Sequence, residues 1–79
     1  MLAIRLSRHA KRRMALYRIR EDDVTKVIET GIMESLKEGK VSFVAELEAK
    51  FRYPIKVVGI EEEGSFLVIT AYPLKKGRE

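Results

Sequence analysis

The sequence predicts an α+β fold, a two-layer sandwich in which a short N-terminal strand and two antiparallel helices precede a three- to four-stranded antiparallel sheet. Three observations carry this. Up to Gly31 the apolar residues recur at helical spacing, as in Ala10, Met14 and Tyr17 and again in Val24, Val27 and Ile28. After Gly31 the period changes to alternation. Finally, Ser65 to Tyr72 is apolar on both faces and stops at Pro73, the pattern of a strand covered on both sides and central in its sheet. Helices that precede such a sheet must pack on one of its faces to bury their apolar stripes.

Taken in order, Ala3 to Leu6 alternates weakly and reads as a short edge strand. Ser7 ends it and caps the first helix, where a hydroxyl can accept one of the N–H groups that a first turn leaves unpaired. That helix runs to about Tyr17 or Arg18. For the second helix, Ile19 and Val24 are spaced as a hydrophobic staple around an N-cap at Arg20, and Glu21, Asp22 and Asp23 complement the helix dipole. Arginine is a poor cap. Gly31 is the expected left-handed residue at the helix end. Ile32 to Leu36 then reads as a strand, Lys37-Glu38-Gly39-Lys40 as a turn, and Val41 onward as a long strand. Phe43, Ala45, Leu47, Ala49 and Phe51 face one way on it, and Val44, Glu46, Glu48, Lys50 and Arg52 the other. Glu46 to Lys50 has high helix propensity, but the period and the β-branched and aromatic flanks favour strand. Pro54 breaks or bulges the pairing, Ile55 to Ile60 resumes it, and Glu61 to Gly64 turn the chain. A short basic tail follows Pro73.

A chain of 79 residues makes one domain, 1–79, and buries only about 60% of the surface its unfolded form exposes. A homodimer or another partner would add the missing burial. The lack of cysteine removes disulfides and thiolates, and a single histidine without clustered carboxylates makes metal or any other cofactor unexpected. No apolar run approaches a membrane span and Met1 to Arg5 lacks a signal-peptide core, so no membrane contact and a cytoplasmic location are expected. Phosphate-binding glycine loops, nucleophile elbows and zinc spacings are absent from the sequence. The charge of +4 is unevenly placed: residues 1–20 carry seven Arg or Lys and no carboxylate, whereas residues 21–50 carry four basic and eight acidic groups. A one-signed patch concentrates polyanions and points to nucleic acid. Its bland reading is a solvated basic face.

Helical spacing gathers this charge. His9, Arg13 and Tyr17 lie four residues apart on one side of the first helix, beside the apolar strip of Ala10 and Met14. A helix docked by that strip holds an imidazole and a guanidinium at the margin of whatever it packs on.

Ser7-Arg8-His9-Ala10-Lys11-Arg12-Arg13-Met14, the valine-rich second helix ending at Gly31 and the closing Ile69-Thr70-Ala71-Tyr72-Pro73 resemble an uncharacterised prokaryotic family. Its members share a His-Ala-x-x-Arg-Met signature and a Thr-x-Tyr strand. That family in turn resembles the RelE/ParE-like toxin superfamily, which includes ribosome-dependent mRNA endonucleases, gyrase poisons and inactive relatives. The resemblance implies RNA or the ribosome as target, an acidic antitoxin protein as partner, and metal-independent RNA cleavage. Basic residues and a tyrosine on the open sheet face and near the C-terminus would perform it. By type and location Arg52, Lys56 and Tyr72 match, with Lys75, Lys76 and Arg78 as tail contacts.

Each candidate has a structural reading beside the functional one. His9 can exchange a proton near neutral pH, or can satisfy a neighbouring carbonyl or carboxylate. Arg13 can clamp a phosphate, or can pair with Glu46 or Glu48 across the fold. Arg8, Lys11 and Arg12 point to other sides of the helix, where Arg8 and Arg12 would steer phosphates. Met14 and Tyr17 read as core, and Tyr53 and Tyr72 either stack on bases or close the apolar layer. The catalytic set expected is therefore His9, Arg13, Arg52, Lys56 and Tyr72. The competing function is a non-enzymatic protein-binding module of the same fold, with the basic helix as a solubility surface.

Overall fold

A computed structural model describes residues 3–47 and 50–74. The elements are β1 (Ala3–Leu6), α1 (Arg8–Tyr17), α2 (Glu21–Thr30), β2 (Ile32–Ser35), β3 (Lys40–Ala45), β4 (Ile55–Glu62) and β5 (Ser65–Pro73). One five-stranded sheet holds the strands in the order β1-β5-β4-β3-β2. β1 runs parallel to β5, and the other neighbours are antiparallel. α1 packs over β5 and α2 over β3 and β4, which is the two-layer α+β sandwich that the sequence predicts. Among the described residues no helix is long and apolar enough to cross a membrane.

Ser7 joins the layers. Its hydroxyl accepts the Ala10 N–H at 3.0 Å and donates to the Ile69 carbonyl at 3.1 Å, so the helix cap is tied to β5. α1 closes at Arg18, which is left-handed (φ 60°), and the Ile19 N–H reaches back to the Met14 carbonyl at 2.8 Å. This is a Schellman-type end made without glycine. α2 begins at Arg20, as expected, but the cap comes from Asp23, whose carboxylate accepts the Arg20 N–H at 2.9 Å. Arginine has no side-chain acceptor for the first-turn N–H groups, and Asp23 makes only the reciprocal half of a capping box, on the N–H of the cap residue itself.

Gly31 corrects one expectation. It is extended (φ −81°, ψ 170°) rather than left-handed. Glycine is needed there for space, because a Cβ would lie 2.8 Å from the Val44 carbonyl oxygen and against that of Val27. The left-handed residues of the next turn are Glu38 (φ 61°) and Gly39 (φ 77°), which give β2 and β3 their tight connection.

The helices cover one face of the sheet, where Ala10, Met14, Ile19, Val24, Val27, Ile55, Val57, Phe66, Val68 and Ala71 form the buried core. Phe43 meets Phe66 edge to face with centroids 5.6 Å apart. The ladder between β4 and β5 shifts at Val58/Gly59: Val58 pairs with Thr70 and Gly59 with Val68, which leaves Ile69 over. Without that bulge, strict alternation from Phe66 and Val68 would aim Tyr72 at the helices. With it, Ala71 is buried and Tyr72 faces the other way, opposite Lys56. Gly59 permits the shift, since a Cβ there would sit 2.6 Å from the Phe66 ring.

Two strand expectations are corrected. β5 lies between β1 and β4, with β4 at the centre, and only its helix side is covered by a second layer; Leu67, Thr70 and Tyr72 are half-buried on the other side. β3 ends at Ala45 instead of continuing to Arg52. The N–H groups of Lys50 and Phe51 both donate to the Leu47 carbonyl, at 2.8 and 2.9 Å, a closeness that an extended strand does not allow. Leu47 and Phe51 both still pack against the core. Ala49 lies outside the described residues. Pro54 sits just before β4; it has no N–H to give, but its carbonyl accepts the Leu74 N–H at 2.8 Å and so extends the pairing with β5.

Candidate functional site

Docking through Ala10 and Met14, both buried, fixes which way α1 turns its other side chains. Arg8, His9, Lys11 and Arg12 are exposed, and Arg13 and Tyr17 are half-buried at the margin of the core. Arg13 Nη1 donates to Tyr17 Oη at 3.4 Å, not to Glu46 as the sequence allowed, while Glu48 lies outside the described residues. The first turn of α1 holds no acidic residue. An imidazole, a guanidinium and a phenol thus follow one another on successive turns, flanked by further cations. Leu16, 66% exposed, continues the surface toward the helix end.

Lys56 and Tyr72 occupy the opposite side of the molecule. They face each other across β4 and β5 in a row that continues through Val44 to Ile32 on the uncovered face of the sheet. The same face carries Arg5 and Lys40 but also Glu34 and Glu62, with Arg5 and Glu62 paired at 3.5 Å. Its charge is mixed, and the one-signed surface is that of α1. Arg52 does not share a strand face with Lys56. It lies exposed in the connection before β4, its guanidinium 5.8 Å from the Tyr53 ring centroid. Lys75, Lys76 and Arg78 lie outside the described residues.

The five residues expected to act together are therefore distributed over three places. His9 and Arg13 stand on the helix layer, Lys56 and Tyr72 on the far face of the sheet, and Arg52 in a loop. Tyr17 packs against the core, as expected, and its hydroxyl at the same time accepts from Arg13 at the helix margin.

A different pair is structural. Asp23 is 5% exposed, and besides capping α2 it takes the Lys50 ammonium at 3.0 Å on both carboxylate oxygens. A buried carboxylate requires such a partner. Among the described residues no group of three His, Cys, Asp or Glu side chains is placed to hold a metal ion.

Residues 6–73 match the family described as Domain of unknown function (DUF4258). The chain belongs to that family. Its fold is similar to that of the Brucella abortus ribonuclease toxin BrnT, known from a 1.1 Å crystal structure. The TM-score is 0.73 at 11% sequence identity, over 96% of this chain and 100% of that one. At that identity the likeness establishes the fold shared by this DUF4258 chain and the toxin. No curated protein shows significant similarity to the chain.

Proposed function

We propose that this DUF4258 protein is a toxin-like protein of the RelE/ParE-like kind that binds and cleaves RNA, with the exposed ridge of α1 as its reacting centre. The observation that carries the reading is the succession of His9, Arg13 and Tyr17 on one side of a helix, within twenty residues that hold seven basic groups and no carboxylate. The fold of a ribonuclease toxin supports it.

Cleavage of RNA by its own 2′-hydroxyl needs three kinds of group around one phosphate. The 2′-oxygen attacks phosphorus, the bond to the 5′-oxygen breaks, and a 2′,3′-cyclic phosphate and a 5′-hydroxyl remain. His9 takes the proton from the 2′-hydroxyl, and the Tyr17 phenol, polarised by Arg13, returns one to the leaving 5′-oxygen. Arg13 holds the charge that develops on the phosphate oxygens. Arg8, Lys11 and Arg12 steer the strand. Lys56 and Tyr72 cannot serve the same phosphate from the far face, so they lie outside this centre. An acidic antitoxin would block the centre by covering α1, and ribosome-bound message is a natural polyanionic substrate.

The test maps RNA ends after incubation with the wild type and single variants, with and without a chelator. The reading expects cyclic-phosphate and 5′-hydroxyl ends that chelation leaves unchanged. Loss of the general base in His9→Ala slows cleavage by roughly 100- to 10,000-fold, Tyr17→Phe slows it less, and Lys56→Ala and Tyr72→Phe leave it as it was. An active His9→Ala with an inactive Tyr72→Phe would move the centre to the sheet.

A further inference from the structure

β2 stands at one edge of the sheet, and among the described residues no strand pairs with its outer side. All four of its residues are exposed, and they include Ile32 at 80% and Met33 at 59%. Two large apolar side chains on an open edge are what soluble proteins ordinarily avoid with charge, proline or a covering element.

The backbone of this edge has a readable phase. The Leu36 N–H donates to the Lys40 carbonyl at 2.8 Å, and the register pairs Glu34 with Ser42 and Ile32 with Val44. Hydrogen-bonded pairs recur every second residue in an antiparallel ladder, so Ile32, Glu34 and Leu36 point their N–H and C=O groups inward. Met33 and Ser35 point theirs outward.

Side chains beside the edge define what could add there. Ile32 and Val44 form an apolar pad on the uncovered face, the wall of a groove of about 500 Å³ that Thr30, Glu46 and Pro54 also line. Glu34 lies two residues from Ile32 on the same face. Glu46 lies two residues from Val44 in the other direction. The pad is thus bracketed by exposed carboxylates, and Met33 offers an apolar contact on the opposite face. This stretch belongs to the acidic third of the chain, where eight carboxylates outnumber four basic groups.

We propose that the outer edge of β2 accepts an extended segment of another protein as a sixth strand, with the pattern basic-x-apolar-x-basic on the uncovered face. The central apolar residue rests on Ile32 and Val44, and the flanking Lys or Arg side chains meet Glu34 and Glu46. Main-chain bonds to Met33 and Ser35 hold the segment, and the side chains select it. The site is separate from the α1 ridge and does not depend on the RNA reading.

The probe is the blocked peptide Gly-Lys-Val-Ile-Val-Lys-Gly, compared with Gly-Glu-Val-Ile-Val-Glu-Gly, on the full chain. The basic peptide is expected to bind roughly threefold to tenfold more tightly, the scale of two exposed charge pairs. It should also slow hydrogen exchange at the Met33 and Ser35 amides. Glu34→Lys combined with Glu46→Lys should reverse the preference. Met33→Pro removes one outward N–H while sparing the ladder to β3, and should abolish binding; its folding is checked by thermal unfolding. If Met33→Pro does not fold, the charge-reversed variant and the exchange data still decide. Equal binding of both peptides, an unmoved preference in the charge-reversed protein, or unchanged exchange at both amides would overturn the proposal. So would edge amides already protected in a dimer of the free protein, since a second copy would then occupy the edge.

Discussion

The β1–α1 half and the α2–β3 half of the molecule carry charge of opposite sign, and the cations of α1 and the carboxylate of Asp23 are put to different uses. In the second half Asp23 is buried, and its carboxylate is committed to the Arg20 N–H and the Lys50 ammonium. In the first half Arg8, His9, Lys11 and Arg12 are exposed on a helix held by Ala10 and Met14. A charge that is buried must be paired to be tolerated, and pairing makes it structural. A charge that stays solvated costs little to leave unpaired, and so remains available to a ligand.

The comparison can be broken at the core, where the largest effect is expected. Met14→Ala removes buried volume under α1 and should destabilise the fold by about 2–4 kcal/mol, read from denaturant unfolding. RNA affinity should fall with it, because the ridge loses its seat. Asp23→Ala removes a helix cap and a charge-assisted pair, for a loss of about 2–3 kcal/mol. At temperatures where this variant is folded, its affinity for RNA should equal that of the wild type. If Asp23→Ala weakened RNA binding while folded, the division between structural and available charge would fail.

Most of the helix layer was legible in the sequence because its signals are local. Ser7 caps α1 as its spacing from Ala10 requires, and Ile19 and Val24 are both buried on either side of the α2 start. Signals that depend on partners distant in sequence were lost. Local spacing makes Gly31 a conformational glycine, whereas the Val44 carbonyl across the sheet makes it a steric one. The shift at Val58/Gly59 is invisible in a run that is apolar on both faces, yet it decides where Tyr72 points. The turn at Leu47 removed Arg52 from the strand face expected of it. The candidate site was therefore half legible: helical spacing placed His9 and Arg13 together, and only the structure separated Lys56 and Tyr72 from them.

Smaller effects sharpen the contrast. Arg8→Ala and Arg12→Ala should each change stability by less than about 0.5 kcal/mol while weakening RNA binding at low salt. Arg5→Ala breaks the pair with Glu62, which is exposed on both sides, and should shift stability by no more than about 0.5 kcal/mol. Thermal melts of the three variants beside the wild type read the stabilities, and titration of labelled RNA at low salt reads the binding.

The most direct test of the division is the salt dependence of binding to single-stranded RNA. The logarithm of affinity is measured against the logarithm of salt concentration for wild type, for Arg8→Ala combined with Arg12→Ala, and for Lys40→Ala combined with Lys56→Ala. If the α1 surface is where phosphates are held, the slope should become shallower by roughly 0.7 for each contact removed in the helix variant. It should stay unchanged in the sheet variant. A slope reduced in the sheet variant and intact in the helix variant, or no binding by wild type at low salt, would contradict the account.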